Sequence, residues 1–178
     1  MKKLFIVAIT ALGFTFAAQA QDDAATGQTA QGKWLIEANT GFGGLPESSA
    51  GNTGFSLISI DGNTMWNIGA EGGYFVADDL AVKVGLGYGD YFGDGLFSYK
   101  VGAKYYINGQ IPVGIDLNGA SVDGDTAMFL GAQAGYAIFL GQNVSIEPGI
   151  RYDYGMNENA GDGDFNPFSV KIGFALHF

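Results

Sequence analysis

The sequence predicts an all-β fold: an eight-stranded, antiparallel, up-and-down transmembrane β-barrel. Three observations lead there. The first is the run Pro167-Phe-Ser-Val-Lys-Ile-Gly-Phe-Ala-Leu-His-Phe178. Phe168, Val170, Ile172, Phe174, Leu176 and Phe178 share one parity in it, and Ser169, Lys171, Gly173, Ala175 and His177 share the other. A period of two puts those sets on opposite faces of one long strand. The second is that alternating runs of this kind recur along the chain, with tight turns between every other pair. The third is that strand glycines gather on the charged parity and large rings on the opposite one.

The amino terminus stands apart from this pattern. Lys2 and Lys3 precede an apolar run from Leu4 to Phe16, and Ala18-Gln19-Ala20 supplies small residues before Gln21. That is the layout of a secretory signal, residues 1–20, cleaved between Ala20 and Gln21. As a membrane anchor the run is short against the ~20 residues a spanning helix needs. The chain has no cysteine, which excludes a lipoprotein anchor, disulfides and thiolate metal sites. Removing residues 1–20 takes away two lysines and no acid, so the mature chain is more acidic than the whole sequence, whose net charge is −10. Such acidity argues against nucleic acid or anionic membrane surfaces as direct partners. Residues 21–32 are polar and small, the composition of a loose periplasmic tail, and residues 33–178 suffice for one barrel domain. No later run is long enough for a transmembrane helix, so a bilayer can be crossed only by a closed barrel.

Strands are expected at residues 33–42, 64–76, 80–91, 96–107, 111–121, 126–140, 144–155 and 167–178. Ala77-Asp78-Asp79, Asn108-Gly109-Gln110 and Gly141-Gln142-Asn143 read as tight turns between them. The alternate connections at residues 43–63 and 156–166 are long, and those at 92–95 and 122–125 are short but rich in Gly and Asp. An even strand number leaves both mature termini on one side, and short turns there make that side periplasmic. Pro148 inside the seventh strand is out of place, because a closed barrel has no edge to excuse a missing donor. A bulge, or pairing over less of the strand, would accommodate it.

Alternation alone does not say which face is inside, and a soluble barrel would bury the apolar parity. Glycine decides the matter. Gly73, Gly85, Gly102, Gly131, Gly173 and most other strand glycines share the charged parity, against Gly72 and Gly119 on the apolar one. On a solvent face they would only weaken the sheet. Inside a narrow barrel they leave room for long polar side chains. The apolar parity carries rings at both ends: Trp34, Tyr74, Tyr105, Tyr136 and Phe178 toward the turns, and Phe42, Trp66, Tyr88, Phe97, Tyr99, Tyr152, Tyr154 and Phe168 toward the loops. Two girdles around an aliphatic belt suit a bilayer.

The inward parity holds Glu37, Glu71, Asp116, Glu147 and Asp153 against Lys83, Lys100, Lys104, Arg151 and Lys171. Folding at Asp78 sets Glu71 diagonal to Lys83, and folding at Gly109 sets Asp116 diagonal to Lys100 and Lys104. Balanced charges of this kind fill a lumen as a salt-bridged core or line a proton or ion path. Eight strands leave room only for side chains, which favours the core. Chemistry is poorly represented. The one histidine, His177, sits at the turn end, away from the loops where a surface base or nucleophile would need it. Glu147 and Asp153 lie about 20 Å apart by strand rise, too far for a paired-carboxylate site. Gly85-Leu-Gly-Tyr-Gly89 opens no helix and so cradles no phosphate. The reading is therefore of a protein that is not an enzyme and carries no cofactor. Nine loop acids, among them Glu47, Asp61, Asp123 and Glu158, form an acidic rim without local cations. Asp162, Asp164 and Asn166 space their oxygens as calcium loops do, a weak divalent-cation candidate beside a merely solvated rim.

Signal segment, alternating strands, turns such as Tyr74-Phe-Val-Ala-Asp-Asp-Leu80, ring girdles and the final Phe178 together resemble the small eight-stranded outer-membrane barrel family, the type represented by OmpX and the transmembrane domain of OmpA. The resemblance implies residence in the bacterial outer membrane, with lipid as a constant partner. It also implies that the barrel-assembly machinery reads Phe174, Leu176 and Phe178 during biogenesis. A monomer with a structural or surface-presenting role is expected, serving envelope integrity or adhesion and interaction; a narrow channel for ions or small solutes is the alternative.

Overall fold

The computed structural model describes residues 27–42, 53–60, 63–91, 93–164 and 166–178. The proposed signal with its Ala20–Gln21 cleavage point, and the loop acids Glu47 and Asp61, lie outside these residues. Among the described residues there are ten strands: β1 (Trp34–Phe42), β2 (Phe55–Ile60), β3 (Asn63–Ala77), β4 (Leu80–Tyr91), β5 (Asp94–Ile107), β6 (Ile111–Val122), β7 (Asp125–Gly135), β8 (Ile138–Phe139), β9 (Val144–Gly155) and β10 (Phe168–His177). The wall runs β1-β10-β9-β7-β6-β5-β4-β3 and closes by pairing β3 with β1, every wall ladder being antiparallel. With β8 counted as the continuation of β7, that is a closed eight-stranded barrel.

The outward parity is bare hydrocarbon. Val84, Leu86, Val101, Ile150 and Phe174 each stand half exposed, with Trp34, Tyr74, Tyr136 and Phe178 at the turn end and Trp66, Tyr88, Phe97, Tyr152, Tyr154 and Phe168 at the loop end. Gly119, the outward glycine of β6, sits opposite Tyr99. A Cβ there would come within 2.6 Å of the tyrosine ring and hydroxyl, so glycine lets the ring lie flat on the wall.

The lumen is layered. At the turn end Leu35, Phe75, Ala81, Tyr106, Ala137 and Ala175 form an apolar cluster with Phe139 against it. The His177 ring lies 6.2 Å from Phe75, 6.1 Å from Tyr106 and 5.5 Å from Phe139. At the loop end Met65, Leu96, Ala120 and Phe129 are buried on the inward parity. All ten charged residues of that parity lie between these layers, each at most 7% exposed. The interior is therefore not polar throughout, as the charge count alone suggests.

Three features depart from expectation. The long connection after β1 contains β2, whose Phe55–Ile60 pairs with Ile68–Asn63 of β3. Its alternation of Phe55, Leu57 and serines is a strand pattern that the flanking Gly- and Ser-rich sequence disguises. Just before it, Thr53 and Gly54 wedge between β1 and β3. The Asn39 amide donates to the Thr53 carbonyl at 3.0 Å, and the Gly69 amide to the Gly54 carbonyl at 2.7 Å. A Cβ on Gly54 would stand 1.2 Å from the Asn39 carbonyl oxygen, so only glycine permits this approach.

Pro148 makes no bulge. The register is the same on both sides of the gap at Tyr136 and Ala137, with Gly135 opposite Gly149 and Ile138 opposite Ile146. The Tyr136 amide still donates to the Pro148 carbonyl at 3.0 Å; what is lost is the return bond that proline cannot give. The gap lies level with the turn-end ring row, at the exposed Tyr136.

The segment expected to be a loose tail is, from Gly27 on, tied down. The Gly32 amide donates to the Phe75 carbonyl and the Phe75 amide to the Lys33 carbonyl, both at 2.9 Å; the Asp79 amide donates to the Thr29 carbonyl at 2.8 Å. Gln31 gives its backbone amide to the Asp78 carboxylate at 2.8 Å and its side-chain amide to the Val76 carbonyl at 3.0 Å. Thr29 is buried, and its hydroxyl donates to Asp79. Burial pushes the Asp79 carboxyl up from its ordinary value; the Thr29 hydroxyl opposes that shift and the neighbouring Asp78 charge adds to it.

Candidate functional site

Eight of the ten inward charges lie opposite a glycine, which leaves the side chain room to lie down; Glu37 and Arg151 do not. A Cβ on Gly131 would stand 1.9 Å from Arg151 Nη2, and one on Gly85 would meet Glu71 at 2.9 Å. Counting parity places the charges; the missing side chains make them touch.

Two clusters result. In the first, Glu37 Oε2 accepts from Lys83 at 2.8 Å and from Lys104 at 2.7 Å. Lys83 also reaches Glu71 Oε2 at 2.6 Å, Lys100 reaches Glu71 Oε1 at 2.7 Å, and Lys104 is paired with Glu147. Tyr106 donates its hydroxyl to Glu147 Oε1 at 2.8 Å, and Ser145 donates to the same oxygen at 3.0 Å. Ser145 Oγ lies 3.0 Å from His177 Nε2. Lys171 is the loosest member, 3.5 Å from Glu37 but 2.7 Å from Gln133 Oε1 and 3.2 Å from Asn39 Oδ1.

The second cluster is Arg151 with two aspartates. Nη1 and Nη2 hold Asp116 in a two-point grip at 2.7 and 2.6 Å, while Nε and Nη2 hold Asp153 at 2.9 and 2.7 Å. Asn118 Nδ2 donates to both aspartates, at 2.9 and 3.2 Å. Gln133 Oε1 links the clusters, accepting from Lys171 and, at 3.4 Å, from Arg151.

The diagonal placement holds both for Glu71 with Lys83 and for Asp116 with Lys100 and Lys104, but Asp116 is ion-paired with Arg151 instead of either lysine. Those lysines turn to glutamates, while Arg151 reaches Asp116 across Gly131 of the intervening strand. Sequence reasoning also passed over the neutral members Asn39, Thr53, Tyr106, Asn118, Gln133 and Ser145. Thr53 comes from the loop, donating to Glu71 and accepting from Lys100 at 3.1 Å; the others sit on the inward parity and could have been found by it.

Elsewhere the structure assembles little. Phe174, Leu176 and Phe178 project outward, about half exposed. Asp162 and Asp164 are exposed, whereas Asn166 is turned into its own loop, accepting from the Gly155 amide at 3.2 Å and donating to the Gly163 carbonyl at 2.6 Å. Among the described residues no three acidic or histidine side chains converge on a point that could hold a metal ion. Within the lumen, the gap among Lys104, Gln133, Glu147 and Lys171 has no room for a water molecule.

No family model and no curated protein matches the chain. Solved structures do. The N-terminal β-barrel domain of Pseudomonas aeruginosa OprF is similar at 17% identity and TM-score 0.50, over 83% of this chain and 98% of that one. Neisserial surface protein A is similar at 18% identity and TM-score 0.44, over 82% and 95% of the two chains. The Yersinia pestis outer membrane protein Ail gives 14% identity and TM-score 0.46, over 83% and 100%. The likeness to the OprF domain is one of fold: the chain is a small eight-stranded barrel of the outer-membrane kind.

Proposed function

We propose that this is an integral outer-membrane barrel with a structural or surface-presenting role, serving envelope integrity or offering its loop-end rim to partners. The observation that carries this is the lumen: ten balanced, interlocked charges that fill the space between two apolar layers among the described residues. The bare outward belt between ring rows supports placement in a bilayer, where lipid replaces water as the outer solvent. On this reading the mature termini are periplasmic, and the assembly machinery engages Phe174, Leu176 and Phe178. The acidic loops share divalent cations with neighbouring lipid only weakly, at ~10⁻⁴–10⁻³ M as exposed oxygen sites do.

Purified protein in planar bilayers should leave conductance at baseline, while fractionation of cells should recover it with the outer membrane. Large, steady currents would replace this reading with the narrow channel. Undiminished recovery in the outer membrane after deleting residues 167–178 would refute the assembly role of the last strand.

A further inference from the structure

The turn-end mouth of the barrel is not closed by its hairpins alone. Residues 27–33 run across it before β1 begins, and they are anchored on opposite sides. Gln31, Gly32 and Lys33 bond the end of β3 and Asp78, while Gln28 Nε2 donates to the Gly141 carbonyl in the turn before β9 at 2.8 Å. Thr29 sits between these anchors, 4% exposed, on Asp79 and beside Gly109 of the second tight turn. Beneath lies His177, fully buried, with the Gln28 backbone facing its ring. Through Ser145, His177 is linked to Glu147 and so to the ionic lumen.

The attachment is of an unusual kind for a barrel. Gly27, Gln28, Thr29, Ala30, Gln31 and Gly32 bring almost no apolar side chain to the cluster below, so the segment is held by hydrogen bonds rather than by burial. Segments with few apolar contacts open locally at much lower free energy than the strands they cover. We propose that residues 27–33 are a detachable strap that closes the turn-end mouth, and that its release uncovers His177 and the apolar layer around it while the wall stays intact. The turn-end layer is thereby reached under control of the strap, with Thr29 as its central fastening.

The chain has a single histidine, so one reagent reads the strap directly. Diethyl pyrocarbonate, which carbethoxylates exposed imidazole, would be applied to the folded full-length mature protein in detergent micelles, and His177 followed by peptide mass spectrometry. Wild-type His177 should label far more slowly than in urea-unfolded protein. Gly32 has φ +88 and gives its amide to Phe75, so Gly32→Pro should disturb both conformation and bond. It should raise the labelling rate about tenfold or more with the strand circular-dichroism signal unchanged. Thr29→Val keeps the bulk and removes one bond; it should raise the rate by a smaller factor and serves if the proline variant fails to fold. Labelling of wild type at the unfolded rate would overturn the proposal, because the strap would then cover nothing. So would a folded Thr29→Val or Gly32→Pro protein that labels no faster than wild type, because His177 would then be shielded by the wall.

Discussion

Around Glu37, four ammonium groups serve three carboxylates; around Arg151, one guanidinium serves two. The two clusters share one lumen and one neutral link, Gln133, yet they are built differently. Each glutamate of the first has at least two donors, so losing one leaves another. The aspartates of the second depend on a single rigid fork, which matches planar carboxylates at two points as no lysine can. Redundancy and concentration are therefore side by side, and they should fail differently.

Arg151→Met should be the most damaging change, leaving Asp116 and Asp153 buried with only Asn118 between them, at a cost of about 3–5 kcal/mol. Urea unfolding in detergent, followed by tryptophan fluorescence, would measure it. Gly131→Ala should cost nearly as much, since the added methyl occupies the place of Nη2. Because both changes break the same grip, the double variant should be little worse than Arg151→Met alone. Full additivity would mean that Gly131 matters for some other reason. Lys104→Met should cost less, ~2 kcal/mol, since Glu37 keeps Lys83 and Glu147 keeps Tyr106 and Ser145; a loss equal to that of Arg151→Met would erase the distinction between the clusters. Lys171→Met should change stability by less than about 1 kcal/mol in either direction, its nearest carboxylate being 3.5 Å away.

The smallest effect expected lies outside the lumen, at Asp79. Its carboxyl holds a proton more tightly with the strap closed than a free carboxyl does. That contribution is full below the ordinary aspartate range and fades as pH rises through the Asp79 titration. Exchange of the Gly32 amide, corrected for its intrinsic rate, should therefore quicken over that range. In Asp79→Asn, which can still accept from Thr29, the dependence should flatten.

How much of this was legible depended on distance along the wall. Parity put the ten charges on one face because the side-chain period of a strand is fixed. Hairpin folding found Lys83 for Glu71 because the two strands are adjacent. It could not find Arg151 for Asp116, because β7 lies between them and only the absence of a side chain at Gly131 opens the path. Thr53 was illegible for a similar reason: its place depends on a backbone approach at Gly54 that leaves no periodic trace. The strap was hidden most completely. Its polar, small residues carry no pattern, and its bonds run largely to backbone groups that any sequence would provide. Pro148, by contrast, announced a defect, and the structure resolved it in the simplest way, as one missing bond in an unshifted register.

The neutrality of the lumen has a consequence for how copies of this barrel meet. Five acids cancel five bases inside, so the net acidity of the chain is carried by residues outside the lumen. Asp90, Asp94, Asp123, Asp125, Glu158, Asp162 and Asp164 all stand at the loop end. Two barrels inserted in the same sense and drifting together would bring those crowns into register while their oily flanks were still free to touch. The repulsion reaches about 8 Å at physiological salt and ~3 Å at 1 M. Lateral crowding in the membrane plane is thus governed from above it, as a spacing that salt contracts.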